Sequence, residues 1–255
     1  MNAIFYKYPL SIFVAAFVLQ CLAAYLGDFV RRRGVSVKDT TQKDFGTILP
    51  AALTLLALII GFSFSLASSR YDLRKTLEEA EANAIGTEYV RADLLPAAPA
   101  AQVRDLLVQY TRQRILFYEV KDSARLAQVA NDRAALQKEL WNAVTAPALA
   151  TPTPISALVV AGMNDVLNSQ GYTQAAWWNR LPVGAWELLI LVAVASNFLF
   201  GFSERREGRV TLMLLPLIVS VPIFLIADID TPRGGLIHVV PQNLQALMAG
   251  FEPAK

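Results

Sequence analysis

The sequence holds one cysteine and one histidine among 255 residues, Cys21 and His238. A lone cysteine excludes a disulfide within the chain and a cysteine-built zinc site, and a lone histidine leaves His-based zinc sites and hydrolytic triads without material. Neither G-x-x-x-x-G-K-[ST] nor G-x-S-x-G occurs, which removes the phosphate-cradling P-loop and the nucleophile elbow. Charge is scarce as well: Asp, Glu, Lys and Arg supply 17% of the chain and the net charge is +2. The basic residues gather beside apolar blocks instead of forming a separate patch, so no nucleic-acid partner is indicated. Strand-like alternation is missing before the tail, as are internal repeats and low-complexity runs. No catalytic group stands out, no cofactor or metal is implied, and an enzyme is the least favoured class.

What the sequence has in excess is apolar surface, with 55% hydrophobic residues and a mean hydropathy of +0.39. It falls in four blocks: Tyr8–Gly27, Phe45–Ser69, about Pro182–Ser203 and about Val210–Ala227. A helix rises about 1.5 Å per residue, so about 20 apolar residues cross about 30 Å of hydrocarbon. All four blocks come close to that. The first ends in Asp28-Phe-Val-Arg-Arg-Arg33 with no small-residue cleavage site, which predicts a retained span. Glu204–Arg209 alone separates the last two blocks, predicting a helical hairpin, and Pro216 and Pro222 should kink the fourth. Asp28 and Glu187 lie at block edges within reach of water, and Trp177, Trp178 and Trp186 bracket the third block as an interfacial belt would.

The chain thus divides into a first transmembrane pair (1–69), a middle segment (70–181), a second pair (182–227) and a tail (228–255). Leu66, Leu73, Leu77, Ala80 and Ala84 form one apolar stripe, so the second span should continue as a single helix beyond the membrane until Pro96 and Pro99 interrupt it. Val103, Leu106, Leu107 and Tyr110 restart a helical period; Val129, Leu136, Leu140 and Val144 carry another. After the linker Thr151-Pro-Thr-Pro154, Ile155, Leu158, Val159, Gly162, Met163 and Val166 give a third. The fold class expected is an all-α membrane protein, four transmembrane helices with a helical extramembrane domain between the second and third. The tail opens with a turn, favours an extended run over Leu236–Val240 and closes with a short helix from Pro241 to about Phe251.

Three stretches carry candidate function. Gly61, Ser65, Ser68 and Asp72 make a narrow small and polar face, suited to close helix packing or to a water-lined path. Phe62 and Leu66, one turn apart, would form an apolar constriction if several copies surrounded an axis, with Arg70 and Arg74 near a mouth. Asn83, Thr87 and Arg91 share a face at i, i+4, i+8, suiting inter-subunit hydrogen bonds, a vestibule wall or a plain solvated face; Gly86 among them predicts a close neighbour. Arg74 and Lys75, four residues before Glu78 and Glu79 and close to Glu81, read as a solvated face laced with ion pairs. In the tail, Asp228 and Asp230 are too few oxygens for calcium, and a turn salt-bridged through Arg233 is preferred.

Gly61-Phe-Ser-Phe-Ser-Leu-Ala-Ser-Ser-Arg-Tyr-Asp72, the block Glu81–Pro96 and Asp228-Ile-Asp-Thr-Pro-Arg-Gly-Gly-Leu-Ile-His-Val239 resemble the bacterial bestrophin-like domain family. That family has no assigned biochemical function. It is in turn distantly similar to the bestrophins, pentameric anion channels whose second helix lines the pore. The resemblance implies a homo-oligomer in the bacterial inner membrane, conducting chloride or another small anion, with Phe62 and Leu66 where bestrophins place apolar neck residues. The acidic run that binds calcium in eukaryotic bestrophins is not matched at Asp228 and Asp230.

Orientation divides the two lines of reading. Arg31, Arg32, Arg33, Lys38 and Lys43 in the first loop, with Arg205, Arg206 and Arg209 in the hairpin, place both loops in the cytoplasm and the middle domain outside. The resemblance implies a cytosolic middle domain, and Arg70, Arg74, Lys75 and Arg180 add charge on that side. An oligomeric anion channel is the leading function; a non-conducting scaffold or sensor whose helical domain binds a partner is the alternative.

Overall fold

The computed structural model describes residues 9–33, 39–203 and 210–251. The hairpin carrying Arg205, Arg206 and Arg209, and the loop position Lys38, lie outside these residues. The described helices are α1 (Pro9–Arg32), α2 (Asp39–Arg91), α3 (Ala97–Glu119), α4 (Ser123–Ala150), α5 (Pro154–Trp178), α6 (Val183–Ser203), α7 (Thr211–Asp230) and α8 (Gln242–Phe251), with a 3-10 turn over Ala92–Leu94. Among the described residues there is no strand. The chain is an all-α membrane protein with four helical stretches long and apolar enough to cross a bilayer.

Helix α2 is 53 residues long, about 80 Å at 1.5 Å per residue. That is more than twice the hydrocarbon thickness. It continues unbroken past Ser69, as its stripe predicts, and stops where Pro96 caps α3. Asp122 caps α4 by accepting the Arg125 N–H, and a Thr153–Ser156 capping box with Pro154 in the first turn starts α5.

Contacts divide the chain into two compact units: the described residues within 1–71 and 180–238, and those within 72–179 and 239–255. Each has its own core. In the first, Leu181, Trp186, Leu189 and Ala193 pack with Val219, Ile223, Ile226 and Ala227, joined by Leu56 and Ala67 of α2. Helices α1 and α6 touch backbone to backbone. A Cβ on Gly27 would collide with the Phe198 carbonyl, and one on Gly201 with the Ala24 carbonyl. Small residues allow such closeness in lipid, where packing and polar contacts replace the hydrophobic drive. Gln20 sits in this unit's interior, donating to Ser220 Oγ at 3.1 Å and accepting from Asn197 Nδ2 at 2.9 Å.

In the second unit Val103, Leu107, Tyr110, Val144, Val159, Met163 and Val166 form the core. Phe117, Tyr118 and Trp177 meet edge to face, with ring centroids 4.8–5.4 Å apart. Of the three tryptophans expected in a belt, Trp177 and Trp186 are buried and Trp178 is exposed. Trp177 points into the aromatic cluster because it falls on the inward face of α5, a choice its position next to the third apolar block does not reveal.

Candidate functional site

The face of α2 that looks away from its own unit carries the proposed pore residues. Phe62 is 63% and Leu66 49% exposed; Gly61, Ser65 and Asp72 are exposed and Ser68 half-buried. Nothing lies within 4 Å of a Cβ built on Gly61. The apolar window of this span is 11% buried, against 50% for that of α7. So the single chain covers its second span least, and the uncovered side holds Phe62 and Leu66 together with serines.

Beyond Asp72 the inside and outside of α2 are the reverse of what charge suggests. Leu73 and Ala80, from the apolar stripe, are exposed, and Leu77 and Ala84 half-buried. Arg74, Glu78, Glu81, Ile85 and Glu88, at spacings of 4, 3, 4 and 3, are buried. The expectation of a solvated, ion-paired face for Arg74, Glu78 and Glu81 is therefore corrected, and so is a place for Arg74 at a pore mouth. The first three of these charges each hold defined partners. Arg74 donates to the Ala176 carbonyl at 3.2 Å and the Asn179 carbonyl at 3.3 Å, capping the C-terminus of α5. Glu78 accepts from Leu244 N at 2.9 Å and Asn243 Nδ2 at 2.6 Å, holding the N-terminus of α8, where negative charge is favoured. Glu81 forms a two-point ion pair with Arg114, both fully buried, and also accepts from Thr173 Oγ1 at 3.3 Å. Burial and the Glu81 carboxylate push the Tyr110 phenol far above its usual range.

Asn83 and Thr87 are exposed and Arg91 half-buried. With Gly86, Asn243 and Leu247 they line an open groove between α2 and α8. Gly86 has the close neighbour expected of it, since a Cβ there would meet Leu247 Cδ1 at 3.1 Å.

The tail is built around carboxylates that accept backbone N–H groups. Asp228 takes Leu236 N and Ile237 N, each at 2.8 Å, one on each oxygen. Asp230 accepts Leu181 N at 2.9 Å. Both are buried, and Arg233 is half-buried in the same turn. Asp228 thus folds the Thr-Pro-Arg-Gly-Gly turn back onto the end of α7, and Asp230 ties that end to the start of the α6 segment. Among the described residues no group of three or more His, Cys, Asp or Glu is placed to hold a metal ion.

The model of the bestrophin-like domain matches residues 14–244. The chain belongs to the bestrophin-like family. A bacterial bestrophin homologue from Klebsiella pneumoniae has a similar structure, with a TM-score of 0.62 at 15% identity over 95% of each chain. A single-substitution variant of that homologue gives a TM-score of 0.64 at 14% identity, covering 95% of this chain and 94% of that one. At such identities the likeness concerns the fold. No curated relative matches the sequence.

Two features of this bestrophin-like chain escaped the sequence reading. One is the Gln20–Asn197–Ser220 cluster, whose members lie in apolar blocks far apart in sequence; polar residues inside a span are the signal that marks them. The other is Glu88. It is fully buried, and neither carboxylate oxygen has a hydrogen-bond partner among the described residues. Twenty apolar residues suffice to span, so Glu88, in the charged part of α2, lies beyond the membrane. Burial, offset by Arg91 and reinforced by Asp165, pushes its carboxyl up to about 8. The 3.5 spacing of buried charges from Arg74 onward was the signal for it.

Proposed function

We propose that the chain assembles as a cyclic homo-oligomer in the bacterial inner membrane, five copies by the resemblance, with α2 of each copy lining an axial path for chloride or another small anion. The observation that carries this reading is the uncovered side of α2. Within the span it sets serines beside Phe62 and Leu66, where a lipid-facing helix would be apolar all round. Beyond the span it offers Leu73, Leu77 and Ala80 to water. Further copies of α2 alongside would remove both mismatches at once, and a ring of copies leaves an axis for water and ions. Phe62 and Leu66 would ring that axis as a dewetting constriction. The role falls to a conduit and not to a catalyst.

The scaffold reading has its own support. Trp141 and Leu149, exposed beside the α4–α5 linker, line an apolar groove with Ala148, Pro152, Ala157 and Val160 that a partner protein would fit. Light scattering in mild detergent, followed by chloride flux into liposomes, separates the two readings. Channel function predicts an assembly and a flux that Phe62→Ala or Leu66→Ala increases; a monomer, or a flux indifferent to both substitutions, leaves the scaffold.

A further inference from the structure

Glu88 and Arg91, one helical turn apart on α2, meet the same spot on α5. A Cβ added to Gly162 would collide with both Glu88 Oε2 and Arg91 Nη1. The two groups are therefore neighbours, yet no hydrogen bond or ion pair joins them, and both Glu88 oxygens are buried and unpartnered. A carboxylate enclosed in this way is costly as an anion and inexpensive as an acid. Arg91 is differently placed. It is half-buried and borders the open groove with Asn83 and Thr87 as well as the Gly162 contact.

We propose that Glu88 is a reversible proton-binding site and a positioning residue for Arg91: protonated, it leaves the guanidinium charge to the Asn83–Thr87–Arg91 face, and ionised, it draws that charge into a buried pair beside Gly162. The group that opposes ionisation from across the contact is Asp165 on α5, and Arg91 on the same helix favours it. Arg104 on α3 is committed to Asp93 and lies over the Tyr89 ring, so it does not compete for Glu88. The proton leaves Glu88 as the pH rises through about 8, close enough to neutrality for a modest alkaline shift to change its state. Resting on the channel reading, the consequence is that each copy contributes one uncompensated positive charge to the anion path at neutral pH and loses it in alkali. Local anion concentration falls with it.

The coupling is tested without conduction by infrared difference spectroscopy of the purified full chain. Wild type should show the carbonyl stretch of a protonated carboxyl that disappears between about pH 6.5 and about pH 9.5 and is missing in Glu88→Gln. Arg91→Gln should move the midpoint upward, because the cation that favours the anion is gone. A band that does not titrate, or a midpoint that Arg91→Gln leaves in place, overturns the proposal whether or not the protein conducts. In liposomes, chloride flux through wild type should drop by up to roughly tenfold over the same interval, the low end of electrostatic focusing. Glu88→Gln should hold the neutral-pH flux throughout. Flux that falls equally in both overturns the positioning role, whereas no flux at any pH together with a titrating, Arg91-dependent band sinks the channel reading and upholds the coupling.

Discussion

Asp228 spends both carboxylate oxygens on backbone N–H groups, at Leu236 and Ile237. An amide in its place keeps one acceptor and turns an NH2 group toward the second N–H, leaving a part-buried donor without its partner, which costs about 1 kcal/mol, the low end for an unmade buried bond. Asp228→Asn is thus expected to lower the unfolding midpoint in detergent, and an unchanged midpoint would contradict the turn described above. Glu88 gives stability a pH dependence whose sign follows from its raised value. The folded chain holds the proton up to about pH 8 while the unfolded chain releases it near 4.5. Its stabilising contribution is therefore complete below about 4.5 and is lost as the pH rises through about 8, at up to about 1.4 kcal/mol per unit. Glu88→Gln should lack this slope and be the more stable protein in alkali, as thermal melts across the range would register. At this scale the sequence was a poor guide. Asp228 and Asp230 stood out as carboxylates in a turn, but a sequence does not say that their partners are N–H groups at Leu181, Leu236 and Ile237. Gly86 was easier, since a glycine inside a helix costs about 1 kcal/mol and so marks a neighbour.

Helices were legible from run length and period, because about 20 apolar residues and a 3.6-residue repeat each follow from helix geometry alone. The facing of α2 beyond Ser69 was not. Periodicity identifies two neighbouring stripes about a quarter turn apart, Leu73–Leu77–Ala80–Ala84 and Arg74–Glu78–Glu81–Glu88, and ordinary burial preferences choose the first as the inner one. The fold chooses the second, because Arg114, the end of α5 and the start of α8 supply partners that lie tens of residues away. Close packing between α1 and α6 was hidden for the same reason: Gly27 and Gly201 matter only once their register is known. Their contact makes opposite predictions for two glycines of one helix. Gly201→Ala forces a methyl group against the Ala24 carbonyl, and backbone has nowhere to go, so a loss of about 1–3 kcal/mol is expected. Gly184→Ala meets nothing within 4 Å and should be neutral or stabilising by up to about 1 kcal/mol. Equal effects in an unfolding titration would show that the α1–α6 contact is looser than described.

Four spans put one crossing between the first loop and the middle domain, so cysteines replacing Ser36 and Ser123 in a Cys21→Ala background should be labelled from opposite sides of the membrane. Labelling from the same side would dismiss the four-span arrangement. Which side holds the middle domain would emerge from the same experiment, deciding between the loop charges and the resemblance. Assembly is tested most directly by the stripe that the fold turns outward. Leu73 is 45% exposed in the single chain, so a glutamate there disturbs little within its own unit, where surface substitutions are usually worth within about 0.5 kcal/mol. In a ring of α2 helices the same glutamate would face its own copies, and like charges brought together at an interface cost several kcal/mol each. Leu73→Glu is therefore expected to lower the assembled mass seen by light scattering toward that of one chain while leaving helicity and the unfolding midpoint near wild type. Leu107→Glu, at a fully buried core position, should unfold the middle domain instead and serves as the contrast. If Leu73→Glu and Leu77→Glu both keep the wild-type mass, the outward stripe of α2 does not hold the copies together, and the axial path proposed along it has no walls.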